Sequence, residues 1–330
     1  MKKRIAINGF GRIGRAALKI ILEHDGLELI AINDLMGLDN AAYLLQYDTV
    51  YGKYEKHVRV HENQIHVGES KINYLSEQSP ENLPWKALGI DIVIESTGLF
   101  TKKEDAGKHI IAGAKTVVIS GPTGSADVPT VVHGVNTGSG KVAVFSCASC
   151  TTNNSAPLIE ILGRRIGIKK AVLNTTHAFT ASQALVDAPS KKEFRMGRAA
   201  ANNLAPAATG AAKAVTKALP QYEGKFDGIA VRTPVPVGSI SDITFLANRN
   251  TTADEVNSIL KEESLSGRYS GILAVTEEPL VSSDIIMRPE ASIVDLEMTR
   301  VVDGDLVKVM AWYDNEWGFT NQLIKQILEL

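Results

Sequence analysis

The sequence predicts an α/β chain of two domains, the first on a parallel sheet and the second an α+β unit on a mixed or antiparallel sheet. Three features carry that expectation. Short β-branched runs alternate with helical patterns through the first half. In the second half the strands lengthen and show alternating polarity, and the change falls near Cys150. A length of 330 residues suits two domains rather than one. The boundaries that follow are 1–149 and 150–315, with a terminal helix over 316–330.

Each element has its own signal. Residues 4–8 read as a strand and 12–24 as a helix, with Ala17, Ile20 and Ile21 on one face. Residues 29–33, 90–95, 116–120 and 142–146 read as further short strands. Beyond Cys150, strands are expected at 171–176, 228–235, 241–247, 293–299 and 306–313, and helices at 210–218 and 252–262. The segment 318–330 is amphipathic and helical in pattern.

Composition excludes several classes. The 35 Lys and Arg against 37 Asp and Glu leave no basic footprint for nucleic acid or an anionic membrane. No apolar run approaches the length of a transmembrane helix. Residues 1–4 are mostly basic, but the apolar run that follows stops at Asn8-Gly9, too short for a secretory leader. Two cysteines in a chain of this length suit a reducing compartment, so a cytoplasmic location is expected.

A G-x-G-x-x-G pattern occupies Gly9, Gly11 and Gly14 between the first strand and the first helix. That placement is what dinucleotide binding requires. Gly9 permits the tight turn, Gly11 lets a pyrophosphate approach the backbone, and Gly14 lets helix and strand pack closely. The free N–H groups at the helix start then face the phosphates. Asp34 ends the second strand, twenty residues after Gly14, where a carboxylate can accept hydrogen bonds from ribose hydroxyls. Leu35 and Met36 follow it, so no cation stands ready for a 2′-phosphate, and NAD is favoured over NADP. A bare turn at Asp34 is the plainer alternative.

The reactive candidate is Cys150, in Ser149-Cys150-Thr151-Thr152-Asn153-Asn154, after a strand and before an apolar-periodic stretch with Leu158, Ile159, Leu162 and Ile166. A helix starting at Cys150 would stabilise a thiolate and lower its pKa. Pro157 leaves a start as late as Ser155 open. The polar neighbours argue against an inert buried cysteine. His177, after a predicted strand, is the natural base. Cys147 and Cys150 have C-x-x-C spacing, which suits either a reversible disulfide or an inert core cysteine at 147. No metal site is expected.

Five motifs span the chain: N-G-F-G-R-I-G-R at 8–15, E-S-T-G-L-F at 95–100, A-S-C-T-T-N at 148–153, T-G-A-A-K-A at 209–214 and W-Y-D-N-E-W-G at 312–318. Together they resemble the glyceraldehyde-3-phosphate dehydrogenase family. The resemblance implies a Rossmann-type NAD domain, a catalytic domain, and a homotetramer whose C-terminal helix returns to the NAD domain. It implies Cys150 as nucleophile and His177 as its activator and acid/base. Arg12, Ile13, Asp34, Gln78, Thr97, Ser120 and Asn315 match cofactor-contacting positions, with Asn315 on the nicotinamide carboxamide. Thr180 and Arg232 match the site for the substrate phosphate. Ser149, Thr151, Thr209 and Gly210 match the site for attacking inorganic phosphate. Arg195, in a connection over 178–201 that resembles the family's interfacial loop, is a further phosphate-site candidate. The chain departs from the family pattern at Asn154, where a second Cys is frequent, at Phe319, where Tyr is, and at Gln78, where Arg or Lys is.

The implied reaction joins a phosphorylated aldehyde, NAD and inorganic phosphate through a thioester. Erythrose-4-phosphate dehydrogenase is the neighbouring alternative, but that family usually has Glu at the position of Asp34. A non-catalytic binding module on the same fold is the alternative from another class. The joint presence of Cys150, His177 and Arg232 argues against it.

Overall fold

The computed structural model describes residues 2–136, 142–190 and 193–330. The chain divides into two compact units. One comprises Met1–Val131, Gly138–Ala148 and Leu323–Leu330, and the other Val132–Thr137 and Ser149–Gln322.

In the first unit, strand Lys3–Asn8 lies between Leu27–Asn33 and Ile92–Glu95 and pairs with both in parallel. Thr116–Ile119 and Val144–Ser146 extend the sheet beyond Ile92–Glu95, also in parallel. These strands are near-continuous runs such as Ile92-Val93-Ile94, buried on both faces, as parallel sheets require. Helix Arg12–Ile21 presents Ala17, Ile20 and Ile21 to the core. It stops three residues short of the expected end, before the turn at His24-Asp25-Gly26.

On the opposite edge the sheet is not parallel. Ser70–Leu75 pairs with Leu27–Asn33 in parallel, but Gln64–Val67 and Val58–His61 continue it as antiparallel strands. The sequence reading missed them. Val58–His61 alternates valine with Arg59 and His61 and is largely exposed, so it carries no strong apolar signal. The end of helix Trp317–Leu328 belongs to the first unit, where Lys3 Nζ donates to the carbonyls of Ile327 and Leu328 at 2.9 and 2.8 Å. A cation on terminal helix carbonyls satisfies acceptors that the helix itself cannot.

The second unit has a mixed sheet in the order Ala205–Ala208, Phe226–Thr233, Ile168–Ala178, Ser239–Ala247, Leu306–Tyr313, Ser292–Val302 and Leu273–Thr276. Ile168–Ala178 and Phe226–Thr233 run parallel, as do Leu273–Thr276 and Ser292–Val302, and the other neighbours are antiparallel. Helices Cys150–Arg165, Ala211–Ala218 and Ala253–Ser264 pack on one face. Thr252 caps the last of these by accepting from Glu255 N. Among the described residues, no helix is long and apolar enough to cross a membrane.

Candidate active site

The glycine turn of the first unit has a steric explanation at each position. Gly9 has φ +96°, and a Cβ there would lie 2.5 Å from Thr97 N. A Cβ at Gly14 would lie 2.2 Å from the carbonyl oxygen of Gly9, so only glycine lets helix Arg12–Ile21 close on the strand. A Cβ at Gly11 would meet nothing within 4 Å, which is the open approach a phosphate needs. Gly11 is also the helix N-cap and makes no side-chain cap, leaving the first N–H groups to the cleft.

Beside this turn is a cavity of about 600 Å³ lined in part by Gly9, Gly11, Asp34, Gln78 and Thr97. The Asp34 carboxylate accepts from Phe10 N and from Met36 N, the latter at 2.8 Å, so two backbone donors fix it at the cavity wall. Gln78 is exposed at the rim. Ser120 follows strand Thr116–Ile119 at the same C-terminal edge of the sheet, its N–H donating to Glu95 O at 2.9 Å. The Arg12 guanidinium pairs with Asp48 and lies over the Tyr51 ring, so Arg12 and Ile13 offer the cleft their backbone N–H groups. The cavity, the phosphate-ready turn and the anchored carboxylate fit a dinucleotide.

In the second unit, helix Cys150–Arg165 does begin at Cys150 and runs through Pro157. Ser149 caps it, its Oγ accepting from Thr152 N at 3.1 Å. The preceding Ala148 holds φ +61°, a left-handed conformation costly for a residue with a Cβ. Buried Asn154 ties the helix to the sheet, Nδ2 donating to Trp312 O at 3.3 Å.

His177 lies near the end of strand Ile168–Ala178, and the parallel register places Arg232 directly opposite it. Cys150 Sγ is 3.4 Å from His177 Nε2. His177 Nδ1 is 2.6 Å from Ala178 O and 2.8 Å from Arg232 Nη1, and one nitrogen cannot serve both as hydrogen-bond partners. We assign the proton to Nδ1, donating to Ala178 O, which leaves Nε2 to accept from the thiol. The guanidinium is then a charge beside the ring. Burial first, and Arg232 second, hold the imidazole down to about 4, so it is neutral at rest.

Burial also pushes the Cys150 thiol up, and Arg232, Thr151 and the local backbone N–H groups pull against that rise without cancelling it. The expected lowering at the helix start is therefore outweighed by desolvation. Cys147 is a core thiol, pushed by burial up to about 12, and so lacks the thiolate character that disulfide exchange needs. That favours the inert-core reading of the C-x-x-C spacing.

Tyr313 was not singled out from the sequence. Its ring meets His177 edge-on with centroids 6.0 Å apart, and its hydroxyl is 2.8 Å from both Thr151 Oγ1 and Thr175 Oγ1. The Thr151 hydroxyl is thus turned into the core, onto Tyr313. A lone Tyr inside W-Y-D-N-E carries no signal of what lies beneath His177.

The anion candidates separate into two groups. Arg232 Nε is buried without a partner, the kind of orphan donor an anion would satisfy. The Thr180 hydroxyl contacts Ser182 Oγ at 2.9 Å. The second group gathers at two helix starts. Ser149 Oγ is 2.8 Å from Thr152 Oγ1, which donates to Ala211 O, while Thr209 Oγ1 accepts from Ala211 N beside Gly210, the N-cap of Ala211–Ala218. Arg195 is exposed and donates to Pro206 O at 3.4 Å, next to the residue paired with Arg232 rather than on Arg232 itself. Positions 191–192 of that connection lie outside the described residues. Asp314 accepts from Glu316 N and Trp317 N and builds the turn that holds Asn315. Asn315 Oδ1 accepts from Gly238 N and Ser239 Oγ, which fixes Nδ2 as its donating end.

Two family models match: the NAD binding domain of glyceraldehyde 3-phosphate dehydrogenase over residues 3–103, and its C-terminal domain over 149–315. Glyceraldehyde-3-phosphate dehydrogenase of Streptomyces coelicolor is 47% identical over 328 residues, covering 98% of this chain and 97% of that protein. The enzyme of Zymomonas mobilis subsp. mobilis is 44% identical over 330 residues, with the same coverage. Glyceraldehyde-3-phosphate dehydrogenase 1 of Bacillus subtilis is 44% identical over 327 residues, again covering 98% and 97%. With matches of this length and identity over both units, the chain belongs to the glyceraldehyde-3-phosphate dehydrogenase family.

Proposed function

We propose that the chain oxidises and phosphorylates D-glyceraldehyde 3-phosphate to 1,3-bisphosphoglycerate, using NAD and inorganic phosphate, through a thioester on Cys150. The observation that carries this reading is Cys150 Sγ 3.4 Å from His177 Nε2 at the first turn of a helix, with Arg232 beside the ring.

The thiol proton passes to His177 Nε2 as Cys150 adds to the aldehyde carbon, and returns to the new oxyanion to give a hemithioacetal. The chemistry that NAD supplies when bound is acceptance of the hydride, which leaves a thioester on Cys150. His177 takes the hydroxyl proton in that step. Inorganic phosphate, held by Ser149, Thr209, Gly210 and the Thr151 N–H, then attacks the thioester carbon and releases the Cys150 thiolate, which takes back a proton from His177 while the proton of the attacking phosphate is lost to solvent. Arg232 and Thr180 hold the phosphate of the substrate, with charge-assisted hydrogen bonds as the source of affinity, and Arg195 adds a donor from the neighbouring connection. Gly9, Gly11, the backbone of Arg12 and Ile13, Gly14, Asp34, Gln78, Thr97 and Ser120 form the dinucleotide site, and Asn315 Nδ2 donates to the carboxamide.

Absorbance of NADH tests the reaction. With phosphate, turnover should be continuous. Without it, about one NADH per subunit should form before the reaction stalls at the thioester. Equal steady rates in both conditions would exclude acyl transfer to phosphate. Faster oxidation of erythrose 4-phosphate than of D-glyceraldehyde 3-phosphate would favour the neighbouring family.

Cofactor choice follows from Asp34. NAD should be preferred over NADP by at least about tenfold in kcat/KM, or about 1.4 kcal/mol, and Asp34→Ser should narrow the gap. Equal use of the two cofactors by the native enzyme would remove Asp34 from this role.

The assembly we propose is a homotetramer in the cytoplasm. The sheet face away from the helices leaves Val172, Ile229 and Leu306 exposed, and the 178–201 connection leaves Leu185, Val186 and Phe194 exposed. Apolar surface of this extent suits contact with further copies of the chain. Sedimentation at about four times the subunit mass is expected, and a monomer at micromolar concentration would overturn it.

A further inference from the structure

Beneath the glycine turn of the first unit is a chain of buried polar side chains that the reaction above does not use. Asn8 and Glu95 end neighbouring strands and lie opposite each other in the register. Glu95 is 1% exposed, and among the described residues it has no lysine or arginine partner. Donors surround its carboxylate. Oε1 accepts from Thr97 N at 2.8 Å and from Thr97 Oγ1, and Oε2 accepts from Asn8 Nδ2 at 2.6 Å and His109 Nε2 at 3.1 Å.

The direction of these bonds is fixed from both ends. Glu77 N donates to Asn33 Oδ1, so Asn33 Nδ2 donates to Asn8 Oδ1, and Asn8 must turn Nδ2 to Glu95. At the other end, Trp85 Nε1 can only donate, and it donates to His109 Nδ1 at 2.9 Å. His109 is therefore neutral, with its proton on Nε2 and aimed at Glu95. The result is an ionised carboxylate, fully hydrogen-bonded but with its charge uncompensated. Such a charge is costly to bury and needs a reason.

The topology supplies one. Strand Lys3–Asn8 lies between the strand that leads to Asp34 and the strand that ends in Glu95. With the adenosine ribose on Asp34 and the pyrophosphate over Gly11, the nicotinamide half extends to the Glu95 side. Thr97, bound to Glu95 through both its N–H and its hydroxyl, lines the cleft. The nicotinamide ring is cationic when oxidised and neutral when reduced, while the rest of the dinucleotide is unchanged.

We infer that Glu95 is a specificity-determining residue: its charge, kept uncompensated by the Trp85–His109 hydrogen bond, favours the oxidised dinucleotide over the reduced one. This rests on the reading of the first unit as the NAD site. The charged groups around His109 are Glu95 on its strand, Glu81 in the turn Pro80–Asn82, and Lys108 on its own helix, which pairs with Glu81 at 3.5 Å.

The test is calorimetric titration of the full chain with NAD and, separately, with NADH. Glu95→Gln keeps the size and removes the charge, and should weaken NAD by at least about fivefold while changing NADH by less than about twofold. Glu95→Asp keeps the charge on a shorter arm, and should preserve the ratio of the two affinities within about twofold even if both weaken. Equal weakening of both ligands by Glu95→Gln overturns the inference and leaves Glu95 a structural role. Failure of the native chain to bind either ligand would instead defeat the NAD reading itself. If Glu95→Gln does not fold, Trp85→Phe decides. It keeps an aromatic ring but frees His109 Nδ1 to take a proton and cancel Glu95. At about pH 6 the NAD to NADH preference of Trp85→Phe should then lie at least about threefold below that of the native chain. A preference in Trp85→Phe within about twofold of the native one overturns the inference.

Discussion

Cys150→Ser is expected to lower aldehyde oxidation by about 10⁴-fold or more, about 5.4 kcal/mol of barrier, in a protein that stays folded and binds NAD. The loss follows from the groups around residue 150. A serine hydroxyl holds its proton far more tightly than a thiol, and the base 3.4 Å away is an imidazole held down to about 4 by burial and by Arg232. That base can assist a thiol, whose anion is accessible, but not an alcohol. The fold should tolerate the change, because serine is close to cysteine in size and suits the first turn of a helix. NAD binding should survive because the glycine turn, Asp34 and Thr97 belong to the first unit. NADH absorbance reads the first expectation, and circular dichroism with NAD titration reads the second. Turnover within about tenfold of native would sink the covalent mechanism.

What could be read from the sequence was what has one steric or chemical meaning. Gly9, Gly11 and Gly14 sit where strand and helix contact or a phosphate approach leaves no room for a Cβ, so their spacing identifies the turn. In the second unit Ser239–Ala247 and Leu306–Tyr313 are long and alternate strictly in burial, and Leu306–Tyr313 falls where its pattern places it. The antiparallel edge around Val58–His61 was lost because an exposed strand does not need an apolar face.

Within the site, residue identity was more legible than direction. Arg12 and Thr151 were found, but their side chains are taken by Asp48 and Tyr313, partners distant in sequence that no local pattern reveals. Cys150 was found at its helix start, but the sign of its pKa shift depends on how deeply it is buried, which is a tertiary property. The donors on Glu95 include a histidine that is itself oriented by a tryptophan, and both lie outside every recognised motif.

His177→Asn should slow the reaction by roughly 10²- to 10⁴-fold, the range for loss of a positioned general acid–base. Its second signature is in the pH dependence of Cys150 alkylation. In the native protein burial raises the thiol, so the reactive thiolate grows as pH rises, and alkylation should climb from about pH 7 to about pH 9. His177 eases that ionisation. When the proton moves to Nε2, the new anion lies 3.4 Å from the ring, and its attraction for imidazolium opposes the effects of burial and Arg232. An asparagine amide cannot take the proton, so Cys150 keeps only Arg232 and the Thr151 donors against desolvation. Its pKa rises further and the profile moves to higher pH. Alkylation at about pH 7 should fall by about tenfold, while the two profiles approach each other as rising pH ionises the thiol without help. An unmoved profile would remove His177 from thiol activation. A uniform depression at every pH would mean that the substitution had closed access to Cys150 rather than raised its pKa.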